Sequence, residues 1–319
     1  MCNNLKKLWL IGAGPMGIEY AKVLNEINIA YDVIGRGRES AKHFEKIYNK
    51  RVHTGGINNW LKKKTENEPY GCIVAVGVEQ LYSVTISLIE YGIKNILVEK
   101  PGGFYPDQIK QINKAALKNN STIYIAYNRR FFASTIKAIE IIDNNGGALS
   151  FNFEFTEWIH KLEQLNIPQR IQENWFFVNS THVIDLAFFI GGSPKDISTY
   201  VGNELTCCPK THIFSGSGIS EKGALFSYNA NWCSAGRWCV EILTKSNRLI
   251  FSPLEQLQII QKGSITSDYV EIDNKLDKQY KPGLFLQTQA FINNEKSNLC
   301  TIREHMKNLN FYERIFLGH

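Results

Sequence analysis

The sequence lacks a long apolar run. No stretch of the 319 residues approaches the about 20 apolar residues that span a bilayer, so no membrane-spanning helix is predicted. Basic side chains are also dispersed. The formal net charge is +6, but Lys and Arg form no stripe, which argues against nucleic-acid binding. We therefore expect no nucleic-acid partner and no membrane partner.

Cysteine pairs with metal-ligand spacing are missing as well. The seven cysteines are odd in number and include no C-x-x-C pair, and Cys207 and Cys208 are adjacent before Pro209. This usage predicts free thiols, a cytoplasmic protein and no structural zinc. The hydrophobic content of 44% and the charged content of 21% are ordinary for a globular enzyme, and the length suits two domains.

A glycine-rich turn separates the first apolar run from an amphipathic helix pattern. Residues 8–11 are apolar, and residues 18–27 carry apolar side chains at helical spacing. Between them, Gly12, Gly14 and Gly17 form a G-x-G-x-x-G pattern. In a dinucleotide-binding turn, the first glycine permits the tight turn, the second lets the backbone approach the pyrophosphate, and the third allows close helix packing. The N–H groups at the helix start then hold the phosphate.

Strand and helix patterns alternate through the first 126 residues. Residues 72–76 are continuously apolar, as expected for a strand that is covered on both faces. The predicted strands are residues 8–11, 31–34, 72–76, 95–98 and 122–126. This alternation predicts an α/β fold with a doubly wound parallel sheet, so we expect a Rossmann dinucleotide-binding domain over residues 1–126.

The pattern changes in the remaining residues, 127–319. Apolar and polar side chains alternate along 149–156, 224–232 and 238–242, which is the period of half-buried strands. Helix patterns occupy Ser180–Ile190, 284–293 and 303–315. We expect an α+β substrate and oligomerisation domain with a largely antiparallel open sheet, and a C-terminal helix that can pack back on the first domain.

The segment Ile96–Gly103 places a lysine at the end of an apolar strand. Lys100 follows Glu99 and precedes Pro101. In open α/β sheets that end of the strand faces the ligand crevice, so a cation there can meet a cofactor, a substrate or both. The alternative is a strand that simply stops at a proline–glycine turn. The glycine turn in the same predicted sheet favours the functional interpretation.

With these parts located, the chain resembles the Gfo/Idh/MocA oxidoreductases over essentially its full length. The motifs that carry the resemblance are residues 12–17, 99–101, 127–131, 182–187 and 287–291. The resemblance implies an NAD(P)-dependent oxidoreductase that transfers a hydride between nicotinamide and a carbinol or carbonyl carbon of a sugar, polyol or sugar nucleotide. It also implies a peptide bond before Pro101 that is often cis, and a homodimer or homotetramer formed through the C-terminal sheet.

The resemblance makes Lys100 and His182 the catalytic pair. Lys100 would orient the reacting carbon and stabilise negative charge on its oxygen, and His182 would act as the acid or base. The sequence departs from the family pattern at Val178, where many members carry an acidic residue. Asp185 shares a helix face with His182, and we hypothesise that Asp185 or Asn179 orients the imidazole. The alternative is that Asp185 satisfies backbone groups or an arginine and that His182 is a plain helix histidine.

The carboxylate that selects NAD is missing from the end of the second predicted strand. An NAD enzyme normally holds the ribose 2′-OH with Asp or Glu there. This chain has Gly35 and Arg36 at that place, and Asp32 falls inside the strand. Because arginine pairs bidentately with phosphate, we predict NADP(H) as the preferred cofactor and NAD(H) as the alternative. The competing interpretation is a solvated loop from which Glu39 reaches the ribose.

The predicted site residues follow from these motifs and from the resemblance. The catalytic residues are Lys100, His182 and Asp185. The cofactor contacts are Gly12, Gly14, Pro15, Met16, Gly17, Arg36, Arg38, Ser40, Val76, Glu99, Lys100 and Asn128. The substrate contacts are Lys100, Tyr127, Trp158, Arg170, Asn179 and His182. No metal ligand is predicted, and a structural role is favoured for Arg130. Two other functions fit the same fold, a non-catalytic NAD(P)-binding sensor or regulator and a biliverdin- or imine-type reductase.

Overall fold

The computed structural model describes residues 6–63, 68–162, 164, 166–202 and 213–319. Its contacts divide the chain into two compact units. Unit 1 comprises residues 1–128 and 278–306, and unit 2 comprises residues 129–277 and 307–319. Cys207 and Cys208, which were predicted as free thiols, lie outside the described residues.

Strands and helices follow one another closely along the described residues. The strands are β1 (Lys7–Ile11), β2 (Ala30–Ile34), β3 (Val52–His53), β4 (Gly71–Val74), β5 (Asn95–Glu99), β6 (Thr122–Ala126), β7 (Ser150–Glu154), β8 (Pro194–Val201), β9 (Ile213–Ser220), β10 (Leu225–Asn231), β11 (Cys239–Leu243), β12 (Asn247–Phe251), β13 (Gln258–Gln261), β14 (Asp268–Tyr269) and β15 (Cys300–Thr301). The helices are α1 (Pro15–Glu26), α2 (Arg38–Tyr48), α3 (Gly56–Leu61), α4 (Leu81–Tyr91), α5 (Pro106–Asn119), α6 (Ala133–Asn144), α7 (Ile159–Leu162), α8 (Gln169–Glu173), α9 (Thr181–Gly191), α10 (Lys275–Gln279), α11 (Leu284–Asn293) and α12 (Ile302–Leu317).

The sheet of unit 1 forms where the sequence has short, mostly apolar runs. Its strand order is β15-β6-β5-β4-β1-β2-β3. Strands β1 to β6 run parallel, whereas β15 is antiparallel to β6. The side chains in the middle of β1, β4 and β5 are almost fully buried. This is the strand order of a dinucleotide-binding fold, whose ligand crevice opens at the carboxyl ends of β1 and β4, where the order reverses. The predicted Rossmann sheet is therefore confirmed.

Residues 278–306 return to unit 1 after the chain has built most of unit 2. In this segment α11 packs on α1, and Cys300 of β15 pairs with Ile125 of β6. The prediction placed these residues in the second domain and put the boundary after residue 126, two residues before the observed one. The difference arises because backbone pairing and helix packing, not a local sequence pattern, assign the segment to unit 1. The start of α12, to Met306, also lies in unit 1, and the rest lies in unit 2.

The sheet of unit 2 has the order β14-β13-β12-β11-β7-β10-β9-β8. Its neighbouring strands pair antiparallel, except that β7 and β10 are parallel. The alternation seen in the sequence is realised as one buried and one more exposed face, for example in β7 and β10. The largely antiparallel open sheet is therefore confirmed.

Aromatic side chains and α9 fill the core of unit 2. Phe153 stacks on Tyr228 at 5.4 Å between ring centroids, and Phe188 of α9 meets Phe153 edge-on at 5.6 Å. Helix α9 is apolar and buried almost all round, because it lies between the sheet and further elements of unit 2. A π-helical turn, Phe176–Ser180, leads into it. Such turns are frequent at functional sites.

No helix within the described residues is both long and apolar enough to cross a membrane.

Candidate cofactor-binding and catalytic residues

The glycine turn connects β1 to α1 at the carboxyl edge of the unit 1 sheet. Gly12 has a φ of +119°, and a Cβ there would lie 2.2 Å from the Ala75 carbonyl oxygen. A Cβ on Gly17 would lie 2.0 Å from the Gly12 carbonyl oxygen, so both positions require glycine. A Cβ on Gly14, in contrast, would have no neighbour within 4 Å. The turn is thus packed on its inner side and open at Gly14, which is the shape that backbone approach to a pyrophosphate needs.

Helix α1 begins directly behind this opening. Gly14 is its N-cap, and Pro15 occupies the first helical turn, where its fixed φ suits the helix. The first N–H groups of a helix have no partner within the helix, and the helix dipole adds positive potential there. The residues present therefore fit the phosphates of a dinucleotide. Met16 and Gly17 lie in the same first turn.

A cleft of about 260 Å³ in unit 1 extends from the glycine turn to the end of β2. Its lining includes Gly12, Arg36 and Val76, three of the predicted cofactor contacts. When the Gln80 amide is oriented with its oxygen towards Arg36, that oxygen lies 3.0 Å from both Nη atoms. Gln80 therefore holds the guanidinium at the rim of the cleft, where the adenosine ribose of a dinucleotide is expected.

No carboxylate of the described residues at the end of β2 takes the place that selects NAD. Asp32 lies within the strand, as expected from the sequence, and it pairs with Lys7 at 2.7 Å. Glu39 is in the first turn of α2, where its side chain is 93% exposed and lies 3.7 Å from Lys42. Arg38 begins the same helix, and the Ser40 hydroxyl donates a hydrogen bond to the Gly37 carbonyl. The cleft rim is thus more basic than acidic.

Lys100 follows β5 at the same edge of the sheet. The peptide bond between Lys100 and Pro101 is cis, as the resemblance implied. The buried Tyr20 hydroxyl donates a 2.8 Å hydrogen bond to the carboxylate of Glu99. Desolvation raises the pKa of Glu99, while the Tyr20 hydrogen bond and the charge of Lys100 act in the opposite direction. His305 Nε2 lies 3.0 Å from the Pro101 carbonyl oxygen, so the turn that carries Lys100 is fixed from both sides.

Asn128 and Tyr127 follow β6, the next strand of the sheet. The Asn128 amide donates a 2.9 Å hydrogen bond to the Pro282 carbonyl oxygen. Tyr127 is 1% exposed, and its ring lies 5.5 Å from the His305 ring. The predicted contact of Tyr127 with substrate stays a prediction.

His182 lies in the first turn of α9 in unit 2 and is 5% exposed. Its ring centroid is 6.3 Å from that of Trp238. Asp185, one turn later, accepts hydrogen bonds from Arg130 Nε at 2.8 Å and Nη2 at 2.6 Å. Both partners are 1% exposed, and the Arg130 guanidinium also lies 4.6 Å from the centre of the Phe189 ring. Asp185 thus pairs with an arginine, and Arg130 has a structural contact of the kind favoured for it. The hypothesis that Asp185 orients His182 stays a prediction.

A buried carboxylate stands beside the turn that precedes His182. Glu157 is 3% exposed, and it accepts hydrogen bonds from Ser180 at 2.8 Å and from Asn179 at 3.0 Å. It also pairs with Arg237 at 3.1 Å. Burial raises the pKa of Glu157, and the hydrogen bond from Ser180 and the charge of Arg237 oppose that shift. Asn179 was predicted as a residue that could orient His182, and its amide nitrogen donates a hydrogen bond to Glu157.

The remaining predicted substrate contacts are at the surface of unit 2. Trp158 is 36% exposed, and its indole N–H donates a 2.8 Å hydrogen bond to the Gly236 carbonyl oxygen. Lys161 and Arg237 lie 4.1 Å and 4.9 Å from the centre of its ring. Arg170 is exposed on α8. This region combines aromatic surface with several cations.

The sequence interpretation missed two residues of these sites, Gln80 and Glu157. Gln80 lies in a turn before α4, where nothing local signals a partner for Arg36. Glu157 had a usable signal, because it follows the strand pattern of Phe151, Phe153 and Phe155 and so lies at the end of a buried strand. Within the part of the chain that the structure describes, no cluster of three or more His, Cys, Asp or Glu residues is arranged to hold a metal ion.

Sequence comparison identifies no related protein: no family model matches the chain, and no curated protein does. Solved structures are similar in fold, and three examples cover nearly the whole chain. UDP-N-acetylglucosamine 3-dehydrogenase GnnA from Acidithiobacillus ferrooxidans has a TM-score of 0.74 and 13% identity, over 98% of this chain and 97% of that one. Levoglucosan dehydrogenase, solved with NADH and levoglucosan, has a TM-score of 0.78 and 16% identity, over 98% and 96%. The WlbA dehydrogenase from Bordetella pertussis, solved with NADH and UDP-GlcNAcA, has a TM-score of 0.73 and 14% identity, over 98% and 95%.

These three proteins are Gfo/Idh/MocA-type oxidoreductases. The likeness confirms the two-part fold that the resemblance implied. At such low identity it establishes fold and leaves the chemistry to be argued from the residues.

Proposed function

We propose that this protein is an NAD(P)-dependent oxidoreductase that transfers a hydride between nicotinamide and a carbinol or carbonyl carbon of a sugar, polyol or sugar nucleotide. One observation carries the proposal. In unit 1 the glycine turn after β1 and Lys100 after β5 stand at the carboxyl edge of one parallel sheet, with β4 between the two strands. A dinucleotide turn and a fixed cation at that edge are what such chemistry needs.

The structural neighbours support this substrate class. Levoglucosan dehydrogenase was solved with a sugar, and the WlbA dehydrogenase with a sugar nucleotide, each together with NADH. The cations around Trp158 in unit 2 suit a substrate of the same kind, because sugar nucleotides are anionic.

In the proposed reaction, bound nicotinamide supplies or accepts the hydride. Lys100 donates a hydrogen bond to the reacting oxygen and stabilises the negative charge that develops on it. His182 accepts the hydroxyl proton when the alcohol is oxidised and returns it when the carbonyl is reduced. Asp185 fixes α9 through Arg130, and Glu157 fixes the turn before His182 through Ser180 and Asn179.

We further propose that NADP(H) is preferred over NAD(H). Arg36 is the main candidate for the 2′-phosphate, and Arg38 and Ser40 are its neighbours on the same rim. Gln80 reduces the entropy lost by Arg36 on binding, since it holds the guanidinium in place. We expect Arg36→Leu to weaken NADPH binding about tenfold or more, the effect of losing a charge-assisted contact, and to leave NADH binding nearly unchanged. Arg303→Leu, an exposed arginine on α12, is the matched control. Equal affinities of the wild type for the two cofactors would refute this preference.

Turnover tests the proposed reaction directly. The protein is incubated with NADP⁺ or NAD⁺ and a panel of sugars, inositols and nucleotide sugars, while the absorbance of reduced nicotinamide is followed. On a substrate that turns over, His182→Asn should lower the rate about 10²- to 10⁴-fold, the usual contribution of an acid–base group. His319→Asn, an exposed histidine in the same unit, should change nothing. Tight cofactor binding without turnover on any substrate would instead identify a sensor.

A further inference from the structure

The segment that returns to unit 1 brings a lysine to the glycine turn. Lys281 Nζ lies 3.0 Å from the sulfur of Met16, in the first turn of α1. Burial raises the pKa of the Glu99 carboxyl, and the charge of Lys281 is among the groups that oppose this rise. Lys281 therefore stands between the turn that receives phosphates and the end of β5. Nothing in the sequence pattern links residues so far apart.

The backbone around Lys281 is held on both sides. Tyr280 is 6% exposed and packs its ring at 5.0 Å from the Phe285 ring. The Pro282 carbonyl oxygen accepts the hydrogen bond from Asn128, and the N–H of Leu284 bonds to the carbonyl oxygen of Lys281 itself. The lysine stem therefore starts from a fixed position, and its side chain remains exposed at the edge of the turn.

We infer that Lys281 binds the pyrophosphate of the dinucleotide. The inference rests on the proposed cofactor site and adds to it a residue from the far end of the chain. A pyrophosphate carries negative charge that the N–H groups of the turn only partly neutralise, and an ammonium group beside Met16 is placed to complete that neutralisation. Lys281 would then close the open side of the turn at Gly14, while Arg36 serves the adenosine end.

Lys281 and Arg36 would contact different parts of the dinucleotide, so their contributions to binding can be separated. The pyrophosphate is common to NADH and NADPH, so a lysine that binds it contributes equally to both cofactors. Arg36, at the 2′-phosphate, contributes to NADPH alone. Adenosine 2′-monophosphate keeps the 2′-phosphate but has no phosphate at the 5′ position, and its binding should not depend on Lys281.

The experiment measures dissociation constants of NADH, NADPH and adenosine 2′-monophosphate for the full chain by titration calorimetry. Lys281→Met should weaken NADH and NADPH by the same factor, about tenfold, or about 1.4 kcal/mol, and leave binding of the monophosphate unchanged. Lys281→Arg should restore binding of both dinucleotides. Lys278→Met, an exposed lysine on α10 three residues earlier, is the matched control and should bind like the wild type.

Three results would overturn the inference. Lys281→Met could bind both dinucleotides within about twofold of the wild type, which would leave the lysine as surface charge. It could weaken the binding of NADPH alone, which would place Lys281 at the 2′-phosphate, or it could weaken the binding of adenosine 2′-monophosphate as much as that of the dinucleotides. A wild-type protein that binds no dinucleotide would refute the proposed function as well, and that outcome is recognised before any variant is made.

Discussion

Removing one partner of the buried ion pair between Arg130 and Asp185 should strongly destabilise unit 2. Two hydrogen bonds of 2.8 and 2.6 Å join groups that are each 1% exposed. We take Asp185→Asn as the perturbation, because it keeps the shape of the side chain and removes its charge. The buried guanidinium then loses the charge of Asp185, and breaking a buried pair in this way typically costs about 3–5 kcal/mol.

The double replacement Arg130→Met with Asp185→Leu provides the internal comparison. Buried ion pairs are often exchanged for apolar residues of similar volume at little net cost, because the desolvation of both charges is avoided. The double variant also gives up the contact of Arg130 with the Phe189 ring at 4.6 Å, which is worth about 0.5–2 kcal/mol. We therefore expect it to recover most of the stability lost by Asp185→Asn.

Urea unfolding, followed by circular dichroism, measures the free energy of unfolding of the single and the double variant. A shift of the urea midpoint without a change in the slope of free energy against urea concentration reports the change in stability. Asp196→Asn is the control, since its pair with Arg314 spans 3.8 Å with side chains 41% and 78% exposed, and such pairs contribute about 0–1 kcal/mol. The reasoning fails if Asp185→Asn costs no more than this control, or if the double variant is as unstable as the single one. If the double variant is stable and turns over substrate slowly, Asp185 also acts on His182.

Two further predictions concern the cofactor turn and the buried carboxylate. Gly14→Ala should leave the unfolding midpoint nearly unchanged, because its Cβ meets nothing within 4 Å, and it should abolish measurable cofactor binding. Gly12→Ala should lower stability as well, because its Cβ would lie 2.2 Å from the Ala75 carbonyl oxygen. Retained cofactor binding in Gly14→Ala would contradict this account of the turn. Burial raises the pKa of Glu157 above its ordinary 4.5, so the folded protein holds the proton more tightly and stability falls as the pH rises from 4.5 through the folded pKa. Glu157→Gln should remove this fall from the stability-against-pH curve, and an unchanged curve would show that Glu157 titrates normally.

The sequence predicted the parts of the fold that depend on local pattern. The strands of unit 1 from β1 to β6, apart from β3, were located because each carries a short, mostly apolar run, which in β2 is interrupted by Asp32. Helix α11 matched the predicted residues 284–293, since its apolar positions recur at helical spacing. β3 has only two residues and therefore no period to detect.

The strand β9 shows why other parts escaped. It contains Gly216 and Gly218, which weaken a strand signal. A Cβ at Gly216 would lie 2.5 Å from the Tyr228 ring, and one at Gly218 would lie 2.6 Å from the Phe226 ring. Glycine is needed there to admit large rings from β10, a requirement that belongs to the packed sheet and is absent from the local pattern.

The candidate site was also predictable only where it depends on local sequence motifs. The glycine turn, Lys100 and Arg36 follow from residues near one another in sequence, and the structure places them at one sheet edge of unit 1. Glu157 and Lys281 depend on pairings between distant residues, Glu157 with Ser180 and Lys281 with Met16. No spacing rule could connect these pairs.

The discontinuity of unit 1 has a consequence for synthesis on the ribosome. Most of unit 2, residues 129–277, emerges before the segment 278–306 that contributes β15 and α11 to unit 1. Until then the nascent chain exposes β6 as a sheet edge and leaves α1 without its helical neighbour, and open edges of this kind invite aggregation. The dinucleotide fold can therefore be finished only late in translation, and a fragment cut after residue 128 should need a chaperone, or the missing segment added as a peptide, to remain in solution.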